Sequence, residues 1–411
     1  MELPPFTPIV LPARVIPVEI RSLRHLIRMY NQQNPEEPIS YKAAHVAVSS
    51  HCTAKIQLST DDCPLFYAYR SVPKSSGGMR KLSSPSSSLK SLQRWILRNC
   101  FTDEMISTSA YAYRPKRSIQ DCAAIHIGSR WLIKFDLTDF FGSISEARVY
   151  ELFRALSYGE LVSFELARLT TFVPDINTRR NIQGSYSERI KRNLDAWKYS
   201  NIGLSIESKS GPYPKYLSRE GKPIRGVLPQ GSPTAGIIAN ICAGELDREL
   251  ELLAIQFKLR YSRYCDDLFF STDCAQGEFD RHEAVRFICE VNRSVLRHGF
   301  RTNQKKTRVV PPGSKKLILG LQVDESVRLD TTFKRDLDYH IRGIEKFGLY
   351  NHTAHISGKP RIVSFLHHLE GKIAFAKGVE PRYGRSRELS LKTALQAGND
   401  TDSNHTTRIT E

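Results

Sequence analysis

Long apolar runs are missing from this chain. No stretch of it approaches the ~20 consecutive apolar residues that a membrane-spanning helix needs. Met1-Glu-Leu-Pro-Pro5 also lacks the basic segment and apolar stretch of a secretion signal. No membrane partner is expected, and a cytoplasmic location is. The eight cysteines include no Cys-x-x-Cys pair and no even spacing. His51, Cys52 and Cys63 are too sparse for a zinc site, so reduced, mostly buried thiols are expected instead. Acids are the other scarcity. With 43 Asp and Glu against 60 Lys and Arg among 411 residues, the net charge is +17, which points to a polyanionic partner. Ribosomal and membrane-surface proteins share that property, so charge alone assigns no chemistry.

What the chain does have is a set of placed carboxylates. Tyr264-Cys265-Asp266-Asp267 lies between two strand-like runs, Leu259–Tyr264 and Leu268–Ser271, so the two aspartates fall at the tip of a tight hairpin. Adjacent anions there either mark a turn or face a divalent cation, since hard oxygen ligands suit Mg²⁺. Two upstream segments favour the cation. Trp131–Phe135 reads as a buried strand ending at Asp136, and Asp139 follows. Pro229-Gln230-Gly231-Ser232-Pro233 reads as a turn with Ser232 as N-cap and Pro233 at the first helical position. A helix is expected beyond it, with Ile237, Ile238, Ile241, Leu246 and Leu250 as its apolar positions.

Strand-Asp, Pro-Gln-Gly turn and Tyr-x-Asp-Asp hairpin, in that order, resemble palm motifs A, B and C of reverse transcriptases. Gly78–Pro85 with Leu89-Lys90 and Gln93–Leu97 resembles the first fingers block of retron-type bacterial enzymes, and Ala112–Ile119 the second. Gly299–Thr307 resembles motif D and Leu317–Asp324 motif E. The chain departs from retron enzymes at two blocks: Cys122-Ala-Ala-Ile-His126 stands for Asn-Ala-x-x-His, and Ile318-Leu319-Gly320 for Val-Thr-Gly. Those departures point toward the related defence-associated bacterial enzymes.

The resemblance implies an α+β right-hand polymerase fold with fingers, a palm of antiparallel sheet plus helices, and a helical thumb. The expected boundaries are an N-terminal extension over 1–40, fingers over 41–130, palm over 131–330 and thumb over 331–397, with a disordered tail over 398–411. No RNase H domain is expected. Two Mg²⁺ ions, with Mn²⁺ as a substitute, would be held by Asp136, Asp266, Asp267 and the backbone carbonyl of Leu137. Arg80 would grip the triphosphate through its guanidinium fork, beside the exposed Lys81. Gln230 would hold nucleotide or template, and Gly231 would let the backbone approach. Phe141, five residues beyond Asp136, either lies beneath the sugar and excludes a 2′-hydroxyl or is ordinary core. Lys306 either protonates the leaving pyrophosphate or is a solvated charge.

Residues 173–225 interrupt this plan with 11 Lys and Arg against 5 acids and interleaved aromatics. Arg189, Lys191, Arg192 and Trp197 there suit single-stranded nucleic acid; a solvated insertion with its own small core is the alternative. Arg114 and Arg117 in the fingers, and Arg342 and Lys346 in the thumb, are further candidates for nucleic-acid contact, with Lys372 and Lys377 also available to a duplex backbone. The reading is an RNA-directed DNA polymerase using dNTPs and a dedicated structured non-coding RNA, producing an RNA–DNA duplex, in bacterial antiphage defence. A defence effector protein or a second copy of the chain are further candidate partners. The alternatives are an RT-fold polymerase with unusual template use and a maturase-like RNA-binding protein.

Overall fold

The computed structural model describes residues 18–50, 65–73, 79–173, 226–274, 278–357 and 362–406, together with Ile9 and Leu11. The chain forms two compact units. One comprises Met1–Ser118, Ile133–Phe270 and Cys274–Val309; the other comprises Ile119–Leu132, Ser271–Asp273 and Val310–Glu411. This partition cuts the chain differently from the expected fingers, palm and thumb boundaries.

The first unit opens with helices α1 (Leu23–Gln33) and α2 (Tyr41–Ser50). Ser22 caps α1 by accepting from the His25 N–H, and Leu23, Leu26, Ile27 and Tyr30 form its buried stripe. Strands β1 (Tyr67–Pro73) and β2 (Met79–Pro85) pair antiparallel, and α3 (Ser87–Cys100) follows. The palm sheet contains β3 (Trp131–Asp136), β4 (Arg260–Tyr264), β5 (Asp267–Thr272) and β6 (Arg308–Val310), in the order β4-β5-β3-β6. Helices α5 (Glu146–Ala155), α6 (Glu160–Thr170), α7 (Ala235–Cys242), α8 (Gly244–Gln256) and α9 (Arg281–Arg297) complete the unit. An aromatic chain joins sheet to helix: Phe135 meets Phe270 edge-on at 5.8 Å, Phe270 stacks on Tyr261 at 4.7 Å, and Phe287 of α9 meets Phe270 at 4.8 Å.

Three local expectations are corrected. Ser232 does not cap the helix after the glycine turn; that helix starts at Ala235, because Ser232-Pro-Thr234 makes a further turn first. The expected single helix breaks at Ala243, although Ile237, Ile238, Ile241, Leu246 and Leu250 are all buried. The spacing Ser143-x-x-Glu146 resembles a capping box, but at α5 the cap is Ser145, accepting from the Arg148 N–H. Glu146 instead turns inward to a fully buried ion pair with Arg168 at 2.5 Å and accepts from the Gly226 N–H at 2.8 Å. Beside it, Phe172 and Val227 exchange backbone hydrogen bonds of 3.0 and 2.9 Å. The basic insertion is therefore closed at its neck, whatever its interior does.

The second unit contains α4 (Ile119–Ala124) and a three-stranded antiparallel sheet of β7 (Leu317–Ile318), β8 (Leu321–Val323) and β9 (Val327–Leu329). Leu319 and Gly320 both have positive φ, 51° and 80°, as a two-residue type I′ hairpin loop demands. Helices α10 (Thr331–Ser357), α11 (Ile362–Val379) and α12 (Pro381–Thr406) pack around Leu337, Ile341, Ile344, Leu369, Ile373 and Leu391. Gly348, with φ 74°, kinks α10. The last helix runs to Thr406, into the stretch expected to fray. Among the described residues no helix is long and apolar enough to cross a membrane.

Candidate active site

Strand alternation aims the chemistry. On β3 side chains two apart share a face, so Phe135 enters the core while Lys134 and Asp136 turn the other way. β5 runs antiparallel beside it: Arg130 donates to the Thr272 carbonyl at 2.8 Å and Leu137 to the Asp266 carbonyl at 2.8 Å. This pairing brings Asp136 and Leu137 against the hairpin that carries Asp266 and Asp267, as the sequence predicts. Asn303 and Thr138 tie the same strand end to the motif D loop, through Asn303 N–H to Asp136 carbonyl at 2.7 Å and Thr138 N–H to Arg301 carbonyl at 2.7 Å.

The hairpin between β4 and β5 has a two-residue loop, Cys265-Asp266. Only the first of these has positive φ, 58° at Cys265, the pattern of a type II′ turn that normally uses glycine there. A cysteine in that region carries backbone strain, of a kind that clusters at working sites.

Electrostatic repulsion couples the three carboxylates. Burial pushes the Asp267 carboxyl up to about 7, the charges of Asp266 and Asp136 push the same way, and Lys306 and Lys134 pull back. The Lys306 ammonium donates to Asp136 Oδ2 at 2.7 Å and is raised by that bond, so Lys306 sits at the site and is no stray surface charge. Lys134 was the residue overlooked. Its place two positions before Asp136 on one strand was the available signal. Burial lowers its ammonium, while the Asp267 charge acts against that. All-oxygen carboxylate donors repelling one another fit a hard divalent cation. Among the described residues no three acidic, histidine or cysteine side chains stand close enough together to form a ready metal cluster.

Phe141 is buried, edge-on to Phe140 at 5.6 Å and to Tyr113 at 6.1 Å. Phe140 packs on Phe300 at 5.4 Å. Tyr113, exposed and with φ 57°, was also missed. Its hydroxyl accepts from Cys265 Sγ at 3.5 Å, and its ring lies where a Cβ on Gly236 would stand, 2.4 Å away. Asp139 has φ 48°. Burial pushes its carboxyl up to about 6, against a hydrogen bond from the Gly142 N–H.

Gln230 and Gly231 lie against β2: Ser83 N–H donates to the Gln230 carbonyl at 2.9 Å, and Gly231, at φ 120°, is 3.3 Å from the Ser83 carbonyl measured from a built Cβ. Arg80 and Lys81 are on the same strand, opposite Val72 and Ser71; their side chains lie outside the described residues, as do Arg189, Lys191, Arg192 and Trp197.

Arg114 is a correction. Its side chain is 7% exposed, pairs with Asp103 at 2.5 Å and donates to the Ser107 and Ala110 carbonyls, so it is occupied in building the fold and is not held out as a free cation. Arg117 stays exposed, 5.3 Å over the Tyr111 ring. In the second unit, Lys372 and Lys377 are likewise engaged, by Asp336 and Glu388. Arg342 and Lys346 line a cavity of about 690 Å³ with Arg335, Tyr339, Phe347 and His355.

Strand-end carboxylates on an antiparallel sheet, met by a glycine turn and a basic loop, define the right-hand polymerase fold of the α+β class. The chain belongs to the reverse transcriptase (RNA-dependent DNA polymerase) family, whose pattern matches residues 72–323. It is 35% identical over 263 residues to the retron Mx65 reverse transcriptase of Myxococcus xanthus, covering 64% of this chain and 52% of that one. It is 29% identical over 332 residues to the retron Mx162 enzyme of the same organism, covering 79% and 60%. To the retron Ec86 reverse transcriptase of Escherichia coli it is 25% identical over 321 residues, covering 77% and 81%. The match thus spans between half and three fifths of the two Myxococcus relatives.

Proposed function

We propose that this chain is an RNA-directed DNA polymerase that copies a dedicated structured non-coding RNA, in bacterial antiphage defence. The convergence of Asp136, Asp266 and Asp267 with Lys306 at one strand end carries the polymerase reading; the reverse transcriptase relatives support copying of RNA into DNA, and the dedicated RNA and the defence role extend that reading by family resemblance. Asp136, Asp266, Asp267 and the Leu137 carbonyl would hold two Mg²⁺ ions, or Mn²⁺ in their place. When bound, such a pair stabilises the attacking and leaving oxygens of an in-line displacement.

The protein's own groups do the rest. Arg80 and Lys81 on β2 bind the triphosphate, and the Gln230-Gly231 turn, tied to Ser83, shapes the nucleotide's other side. Phe141 excludes a 2′-hydroxyl and so selects dNTPs. Lys306, held protonated beside Asp136, delivers its proton to the leaving pyrophosphate. Arg335, Tyr339, Arg342 and Lys346 recur on one face of α10 at helical spacing, a strip suited to phosphates and stacked bases.

The test is the Asp266→Ala, Asp267→Ala double variant on an RNA template with a DNA primer. DNA synthesis should vanish while RNA binding and the melting temperature are kept. Normal dNTP incorporation by that variant would sink the assignment.

A further inference from the structure

Directly behind the aspartates lies a charged group that the chemistry above does not use. Arg263, on β4 two residues before the hairpin loop, is 0% exposed, as is its partner Asp247 on α8. Alternation puts Arg263 on the same side of β4 as Tyr261, which stacks on the core residue Phe270. Its guanidinium is therefore on the helix-covered face, away from substrate.

Four of the five N–H donors of that guanidinium are engaged. Nε and Nη2 donate to the two Asp247 oxygens at 2.7 and 2.6 Å, a bidentate fork. Nη1 donates to Asn240 Oδ1 at 2.9 Å and to the Cys265 carbonyl at 3.1 Å. The outer members are fixed in turn: Asp247 Oδ1 accepts from the Tyr261 hydroxyl at 2.8 Å, and Asn240 Nδ2 donates to the Ala112 carbonyl at 2.7 Å. The Arg263 backbone is pinned on both sides, donating to Ser109 at 2.7 Å and accepting from Tyr111 at 2.9 Å. Its charge also lies 5.6 Å from the Phe140 ring.

A buried ion pair is weak evidence of a stabilising role. Such a pair is often replaceable by apolar residues without loss, because desolvation offsets the attraction. What apolar residues cannot supply is a directed donor to one carbonyl. That carbonyl belongs to Cys265, the loop residue with φ 58°, a conformation that a residue with a Cβ leaves readily unless held.

We propose that Arg263 is a positioning residue: oriented by Asp247 and Asn240, it holds the Cys265 carbonyl and thereby fixes the direction in which Asp266 and Asp267 project toward Asp136. It links residues from all three palm segments, through Phe140, Asn240 and Cys265. The inference rests on Asp266 and Asp267 being the working carboxylates.

Arg263→Met with Asp247→Leu and Tyr261→Phe removes the charges together, so no lone ion stays buried. Three quantities are measured on the full chain: melting temperature without metal, the Mg²⁺ concentration giving the half-maximal rise in melting temperature, and kcat and dNTP KM in primer extension. Melting without metal should stay within a few degrees of the parent. The Mg²⁺ midpoint should rise and kcat should fall, each by about tenfold to a hundredfold, the scale expected of small misplacements of reacting groups, with dNTP KM little changed. A folded variant with the parent's Mg²⁺ midpoint and kcat overturns the proposal.

Arg263→Lys is the second variant, since it keeps the charge beside Asp247 but loses the fork. Adding Cys265→Gly, which adopts positive φ freely, should restore part of its kcat. Failure of both Arg263 variants to fold would make Arg263 a stability residue and also end the proposal. Asp266→Ala with Asp267→Ala, run alongside, separates this from the site assignment: if that variant keeps the Mg²⁺-dependent rise and incorporates dNTPs, the assignment of the aspartates has failed and the role of Arg263 falls with it; if it loses both while the Arg263 variants match the parent, the role of Arg263 alone has failed.

Discussion

Selectivity and pH response can each be tested at a single side chain. Phe141 meets Tyr113 edge-on within the site, so Phe141→Ala should raise rNTP incorporation relative to dNTP by about tenfold or more, one lost steric contact being worth 1–3 kcal/mol. Competition between labelled dCTP and CTP on one template measures it, and unchanged discrimination in a folded variant would make the ring core only. Glu165 on α6 gives a pH signature away from the site. Burial pushes its carboxyl up to about 7 from an ordinary 4.5, against one hydrogen bond from the Leu23 N–H. A raised carboxyl binds its proton more tightly folded than unfolded, so the ionised form costs stability above about pH 7 and that cost fades as pH falls toward 4.5. Glu165→Gln should therefore melt above the parent at pH 8, with the gap closing near pH 5. Melting curves across that range check it; an equal gap at every pH would point to packing instead.

Elements were the most legible scale. The hairpin of β4 and β5, the strand ending at Asp136 and the buried stripe of α1 all follow from alternation or helical spacing in a handful of residues. Cation roles were less legible, because an arginine's spelling is the same whether it faces water or a carbonyl. Arg114 shows this: only tertiary contacts reveal that it binds Asp103 and two backbone oxygens. Arg114→Ala should thus lower stability by roughly 1–3 kcal/mol, the cost of unpairing partly buried polar groups, while RNA affinity stays put. Urea unfolding set beside a binding titration would separate the two, and a loss of affinity at parental stability would restore the nucleic-acid role. Helix starts were illegible for a related reason. Ser232 and Ser143 carry capping chemistry, yet the chain turns once more before each helix, and a local motif does not report that extra turn.

At the scale of the whole molecule, the charge balance bears on what the chain binds. The net +17 includes Arg189, Lys191 and Arg192 in the basic insertion. Reversing those three charges should weaken binding of the cognate RNA by about tenfold or more and flatten its salt dependence. Rate on a generic primer-template should stay at the parental level. Affinity and rate measured on one preparation are the comparison: a joint fall assigns the segment to structure, and no change leaves it a solvated loop. Palm motifs were readable because few residues satisfy their geometry. The insertion was not, because basic and aromatic residues serve equally in a small core and on an RNA surface.

Phe172 and Val227 hold each other across the base of that insertion, and Glu146 fastens Gly226 beside them. Closing a loop whose ends already meet costs little more when the loop is long than when it is short. Such a neck uncouples length from register. Residues between Val173 and Gly226 can be added or removed while Asp136 and the Asp266 hairpin keep their alignment. The segment is thus where a designer could graft a foreign RNA-binding module.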